Sequence, residues 1–435
     1  MTRAFGTFPD EAIFRRTLKN GVRVICSQLS HVHRTAVTLH VRSGSRFESI
    51  ELGGISHFHE HMLHRGTTLY PSAHALAHAF EDLGSELGAA TYVDHTVLAA
   101  GAPLENLSRV IELLGDLVQN PLWSAIEIER GIVREEILES LNERGESVDA
   151  DEAIIALAFP EHGLGRPIAG SIEALDRFDV PALQAFHREN YQASGLVVSV
   201  AGPLDVSQVN DAVEKAFSGV AAGDAPRDVA PEPLTGPKFA FVRDSGSQTA
   251  LRVSFRAPSE VDALEPATEL LLRTLDDGMA TRLYHHVCDE RGLAYDVSAS
   301  YEAFQDAGLF TLAGESAHAS AERLLTEFFV VVSELAEHGP SAEELDKAKR
   351  RFAWQMRSVL DEPGELAAFL GLSELTHTAA SPAARGREIA EVTPEAVRKA
   401  AETVFSPNGL AVVAVGELNA TQRRALERRV RAFGR

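Results

Sequence analysis

Gly53-Gly54-Ile55-Ser56-His57-Phe58-His59-Glu60-His61-Met62-Leu63-His64-Arg65-Gly66-Thr67 is the stretch on which the reading of this chain turns. On a helix, at about 100° per residue, His57 and His61 lie roughly 40° apart on one face, with Glu60 about 60° from His57 in the same sector. Two imidazoles can then grip one metal ion while the carboxylate stands beside it, free to take a proton from water. The order His-x-x-Glu-His reverses the His-Glu-x-x-His in which a zinc peptidase carries two ligands and a base. Gly53-Gly54 breaks the chain upstream, Ser56 is placed to cap the helix, and Gly66 stands where a C-terminal cap belongs. His59 falls about 160–200° from the two ligand histidines, and His64, about 60° from His61, reads as a packed or supporting side chain.

A catalytic zinc takes three protein ligands and keeps one position open. Ser124-Ala125-Ile126-Glu127 reads as a capping box that opens a long helix, continued as Ile128-Glu129-Arg130-Gly131-Ile132-Val133-Arg134-Glu135-Glu136-Ile137-Leu138-Glu139. Glu129 and Glu136, seven apart, share one face to within about 20°. Ile132, Val133 and Ile137 lie on adjoining faces and are expected to pack inward. Carboxylates beside an inward face need positive compensation, which a metal ion and its histidines supply. Glu135, Glu139, Glu143 and Glu146 read instead as a solvated acidic surface.

These features resemble the pitrilysin family of inverzincins, the group that includes the mitochondrial processing peptidase type. Glu136 follows His61 by 136 − 61 = 75 residues, close to the family spacing. The resemblance extends to Leu18-Lys19-Asn20-Gly21, expected before the first strand, to Gly165-Arg166-Pro167-Ile168-Ala169-Gly170, and to Val197-Val198-Ser199-Val200-Ala201-Gly202. It is dense in the first half and thinner in the second. It implies zinc, one ion per chain, held by His57, His61 and Glu136. It also implies Glu60 as the general base and Glu129 as a supporting carboxylate that orients a ligand histidine.

The chain also reads as two related halves. Val37-Thr38-Leu39-His40-Val41-Arg42-Ser43-Gly44-Ser45 resembles Leu251-Arg252-Val253-Ser254-Phe255-Arg256-Ala257-Pro258-Ser259, and Ser124-Ala125-Ile126-Glu127 resembles Ser341-Ala342-Glu343-Glu344 at an offset of 217. Mixed period-2 strands and amphipathic helices give an α+β fold. The expected domains are a zinc-binding catalytic half over 1–217, a Gly/Pro-rich linker over 218–238, and an inactive half over 239–435 that contributes to substrate binding. At the 217 offset, His57, Glu60, His61 and Glu136 fall on Thr274, Asp277, Gly278 and Ala353, so the second half lacks a ligand set. The family architecture implied is a duplicated fold whose two halves face each other around a cavity.

Two positions depart from the family pattern. Relatives place an arginine and a tyrosine, seven apart, in the inert half to hold substrate and stabilise the oxyanion. Here Tyr295 stands at the tyrosine position and Cys288 at the arginine position, with Arg282 and Arg291 as substitutes to consider. This raises a paired arrangement, with a second chain supplying the arginine, as well as a non-catalytic peptide-binding or structural subunit. Cys288 reads as a small packed residue. The second departure is Gly88, where relatives carry asparagine on the edge strand that receives substrate. Gly88, Ala89, Ala90 and Thr91 are the expected substrate-binding strand, which would take a peptide as an added β-strand through backbone hydrogen bonds. His95 and His285-His286 read as structural and surface residues respectively.

Composition fits this class. The chain has 435 residues, long enough for more than one core, and a formal charge of −22. That charge argues against nucleic acid and anionic membranes; it favours basic peptides as substrates if it lines a cavity, and is otherwise ordinary solubilising surface. No apolar run reaches the roughly 20 residues of a membrane span, and Met1–Glu11 lacks the apolar core of a signal peptide. Two cysteines, Cys26 and Cys288, fit a reducing compartment. The expectation is a cytoplasmic zinc endopeptidase acting on short or unfolded peptides, as a homodimer or a heterodimer with a related chain.

Overall fold

The computed structural model describes residues 12–378 and 381–434, so Met1–Glu11 lies outside the described residues. The first sheet contains β1 (Ile13–Thr17), β2 (Arg23–Gln28), β3 (Thr35–Val41), β4 (Leu87–Thr91), β5 (Thr96–Ala102) and β6 (Leu196–Gly202) in the order β1-β2-β6-β3-β5-β4. The second contains β7 (Lys238–Arg243), β8 (Thr249–Ala257), β9 (Val297–Ala303), β10 (Gly308–Ser316) and β11 (Leu410–Gly416) in the order β7-β11-β8-β10-β9. Setting β2 on β7, β6 on β11, β3 on β8, β5 on β10 and β4 on β9 makes the two orders identical. In each sheet a single parallel pair, β2–β6 or β7–β11, sits among antiparallel ones. The duplicated α+β fold is therefore present, with β1 as an addition to the first copy. Leu18–Gly21 is the turn between β1 and β2 rather than a lead-in to the first strand, and Gly21 adopts φ 110° there.

Strand composition explains the layers. β5 alternates buried and half-buried residues, with Leu98, Ala100 and Ala102 turned to the core. β6 and β11 are buried at every position, and both read as runs of Val and Ala, as central strands covered on both faces do.

The chain forms two compact units that are not its two contiguous halves. The first comprises 1–137, 167–227 and 354–386; the second comprises 138–166, 228–353 and 387–435. Residues 221–235, within the expected linker, form no regular element. The helices after the first four show how the exchange arises. α1 (Ile55–Leu63), α2 (Ala73–Glu81), α3 (Leu107–Gln119) and α4 (Ile126–Glu139) precede α5 (Ala150–Ala158), which packs on β8 and β11 of the second sheet. Its counterpart by the 217 offset, the helix Pro363–Thr376, packs on β2, β3 and β6 of the first sheet. There Leu366, Leu370 and Leu375 join Ile25, Val197 and Ala201 in one buried cluster. Each such leucine contributes about 1.5–3 kcal/mol by burial. Gly371 permits this approach, because a Cβ at that position would run into the His40 ring.

Candidate metal centre

α1 begins at Ile55, with Gly54 as its N-cap in the left-handed region at φ 95°. Ser56 lies inside the helix and does not cap it. The free amides of the first turn are met from upstream: Glu48 accepts from the Gly54 N–H and the Ser56 N–H through its two carboxylate oxygens, each at 2.7 Å. A carboxylate there also complements the positive end of the helix. Gly54 itself is required by crowding, since a Cβ would lie 2.5 Å from the Ala169 carbonyl oxygen. Downstream, His64 is the C-cap, and Gly66, at φ 121°, forms the turn that follows. Opposite the ligand face, Phe58, His59 and Met62 are fully buried. His59 shares a 3.0 Å hydrogen bond with His187, whose other ring nitrogen donates to the Val118 carbonyl at 2.8 Å.

α4 supplies the second wall. The chain enters it through Ala125, at φ 60°. Val133 and Ile137 pack inward as expected, but Ile132 is 48% exposed and Ile128 58% exposed. The buried stripe runs through Glu129, Val133 and Ile137 instead, and this turns Glu129 and Glu136 toward α1. The corresponding helix of the second copy opens at Ser341 with a reciprocal cap: Ser341 Oγ accepts from the Glu344 N–H at 3.2 Å, and Glu344 accepts from the Ser341 N–H at 2.8 Å.

The two helices bring His57, His61 and Glu136 together, with one potential ligand atom from each within 4.8 Å of the others. The two Nε2 atoms face each other at 3.2 Å, and the Glu136 carboxylate lies 3.6 Å from His57 Nε2 and 3.9 Å from His61 Nε2. Ligands about 2.0–2.1 Å from a tetrahedral zinc stand about 3.3 Å apart, so the set needs little adjustment to hold one. This is the single such group among the described residues. His57 Nδ1 is buried without a hydrogen-bond partner among the described residues, so no protein group fixes the tautomer of that ring from behind. Burial, and then the nearby His61, push the His57 pKa down to about 4, which keeps the imidazole in its neutral, ligating form at neutral pH.

Glu129 is 5% exposed and accepts from His61 Nδ1 at 3.2 Å while pairing with Arg65. With the proton fixed on Nδ1, His61 presents the Nε2 lone pair to the site. Glu60 is 8% exposed. Burial raises its pKa above the ordinary carboxylate range, opposed by His61 and by a 3.2 Å hydrogen bond donated by Thr91 Oγ1. His64 Nε2 lies 3.7 Å from Glu60, a supporting position. Three carboxylates, Glu60, Glu129 and Glu136, thus crowd two imidazoles with Arg65 as compensating cation, an arrangement that a divalent ion relieves.

Thr91 ends β4, the edge strand of the first sheet, against which α1 packs. Gly88, Ala89, Ala90 and Thr91 pair on one side with Ala99, Leu98, Val97 and Thr96, and among the described residues their other edge has no strand partner.

In the second unit, Tyr295 is 94% exposed and borders a cavity of about 240 Å³ that Arg252 also lines. Arg282 is held by Glu344, and Arg291 lies 3.6 Å from both Glu290 and Glu327. Cys288 sits in a single π-helical turn, His285–Glu290. His286 is bonded to Glu327 at 2.8 Å, so only His285 of that pair is a surface residue. His95 bonds its neighbour Asp94 at 2.8 Å. At the positions offset from the metal group, Thr274 bonds the Leu270 carbonyl, Asp277 pairs with Arg273 and Arg351, and Ala353 is buried.

Two family models cover this architecture. Residues 23–171 match the insulinase family, peptidase family M16, and residues 177–352 match the M16 inactive domain. An uncharacterized zinc protease of Rickettsia felis is 30% identical over 79% of this chain and 82% of that protein. The chain belongs to peptidase family M16. Another uncharacterized zinc protease, from Mycobacterium tuberculosis, is 30% identical over 90% of each chain. In fold, a Helicobacter pylori protease aligns at TM-score 0.86 with 18% identity over 94% of this chain and all of that one. A putative M16-like peptidase from Alicyclobacillus acidocaldarius aligns at 0.81 with 20% identity over 95% of this chain and all of that one. The M16 inactive-domain match begins after the His57–Glu136 region and includes Thr274, Asp277 and Gly278, ending one residue before Ala353. No helix among the described residues is long and apolar enough to cross a membrane.

The sequence pointed to the histidines and glutamates, and to Thr91 only as part of the substrate strand; it did not point to Glu48, Arg65 or the Thr91 bond to Glu60. Glu48 and Thr91 act from loop and strand positions whose partners lie 6 to 31 residues away, and no local spacing encodes such contacts.

Proposed function

We propose that this chain is a zinc-dependent endopeptidase that takes peptides or unfolded segments as an added strand on β4. The convergence of His57, His61 and Glu136 on one point carries the reading. A zinc ion held there supplies a Lewis acid that makes water nucleophilic and polarises a scissile carbonyl. Glu129 fixes the His61 tautomer. Glu60 takes a proton from the attacking water as its oxygen bonds to the carbonyl carbon, then passes that proton to the amine as the C–N bond breaks. The raised pKa of Glu60 suits both transfers. Thr91 holds the Glu60 carboxylate from the strand that would receive substrate, so base and substrate share one reference frame. Acidic side chains and the −22 charge favour basic peptides. Tyr295 is proposed to support the oxyanion, in this chain or at a partner's site, and the chain to work as a homodimer or with a related chain in the cytoplasm.

Glu60→Gln tests the reading. The variant is expected to keep zinc at the wild-type level and to lose about 10²–10⁴-fold in cleavage of a fluorogenic peptide. Wild-type turnover by this variant would refute the assignment. A second reading, in which activity needs a partner, is favoured by Cys288 at the position where an arginine was expected. Zinc-loaded wild type that cleaves only after a related chain is added supports it; cleavage by the chain alone excludes it.

A further inference from the structure

α2 carries a second histidine pair, unconnected with the centre above. His74 and His78 stand one turn apart on its exposed face, with ring centroids 6.3 Å apart and planes at 73°. His57 and His61 show the same i, i+4 spacing and the same interplanar angle, at 4.6 Å. One turn further, the Asp82 carboxylate lies 3.0 Å from His78 Nδ1 as an ion pair. A carboxylate beside Nδ1 favours a proton there, which leaves the Nε2 lone pair for a metal. This is the carboxylate–histidine arrangement that orients a ring for metal ligation. The pair borders an open cavity of about 520 Å³, together with Tyr70 and Arg109. Arg109 is no obstacle, because it donates to Glu112 at 2.6 Å and to the Tyr70 hydroxyl at 2.7 Å.

We propose that His74 and His78, with Asp82 behind His78, form a second metal site for a late first-row divalent transition ion. Two imidazoles on one tetrahedral ion place their ring centroids about 5 Å apart, so these exposed side chains need only swing inward by about an ångström. Two nitrogen ligands make the site weaker than one with three ligands, open to water or an incoming ligand, and tighter for Cu²⁺ than for Ni²⁺ or Zn²⁺. Nothing in it depends on the catalytic reading.

The test is a metal titration of the full chain with Zn²⁺ and Cu²⁺, with bound equivalents counted by calorimetry. Wild type is expected to bind a second, weaker equivalent. The His74→Ala/His78→Ala double variant should lose it while keeping peptidase activity, since both side chains are exposed. Asp82→Asn should weaken it about tenfold. His57→Ala should keep the second equivalent and lose the first, so failure of the catalytic site and failure of this site give different results. Equal stoichiometry and affinity in wild type and the His74/His78 double variant would overturn the proposal.

Discussion

Glu129 is the residue on which the geometry of the site most depends without touching the point of convergence. It is nearly buried, and it is tied at once to His61 Nδ1 and Arg65. Glu129→Gln keeps the shape but weakens both links. Zinc affinity should fall about 10–100-fold, read by competition with a chromophoric chelator. His40 gives a prediction of another kind. Burial, and secondarily His95, lower its pKa from 6.5 to about 3 in the folded protein. The unfolded chain therefore binds a proton below 6.5 that the folded chain refuses until about 3. Stability should thus rise with pH across that window, with a slope of about 1.4 kcal/mol per pH unit from this group. Urea unfolding of His40→Gln, followed from pH 6.5 downward, should show a slope shallower by about one proton than wild type.

His57, Glu60 and His61 were legible because their geometry is local, and Glu136 was reached through the family resemblance. A helix of 3.6 residues per turn is enough to group His57, Glu60 and His61, and the same rule pairs Glu129 with Glu136. What holds them was not legible. Ser56 follows a glycine pair and looks like a cap, yet the cap is Glu48, which reaches across a turn no spacing rule foresees. Ile132 looks like core and is half-exposed, because the stripe that α4 buries is centred on Glu129 and Val133.

Among the elements, α1 is the one whose placement depends on distant backbone. Its N-terminus is fixed by Glu48 and by the close passage of Gly53-Gly54 against Ala169-Gly170. Glu48→Ala leaves two buried amides without that acceptor, and a loss of about 1–3 kcal/mol is expected, seen as a lower midpoint in chemical denaturation. Zinc affinity should fall with it, since the helix carries two of the three candidate ligands. The similarity of residues 37–45 to 251–259 was readable and the matching strand orders bear it out, whereas period-2 alternation shows in β5 and β9 but not in the fully buried β3, β6 and β11. The sequence does not say which sheet an amphipathic helix covers. An apolar stripe on α5 would suit either sheet, and only the fold sends it to the second.

For the whole molecule, that exchange decides what can be cut. A fragment ending at residue 217 retains all six strands of the first sheet but lacks the helix Pro363–Thr376 that covers Ile25, Val197 and Ala201. Such a fragment is expected to expose that face, bind a hydrophobic dye and lose near-ultraviolet circular dichroism, whereas the full chain should show neither change. A fragment with a native-like spectrum would contradict the assignment of residues 354–386 to the first unit.

The same exchange sets a clock on the ribosome. The first sheet is fully synthesised at Gly202, but its covering helix is not complete until Thr376. At about 5–20 residues per second, the nascent chain carries this uncovered apolar surface for roughly ten to thirty seconds. That interval is long enough for holdase chaperones to engage it, and it makes the yield of this protein sensitive to translation speed between Gly202 and Thr376.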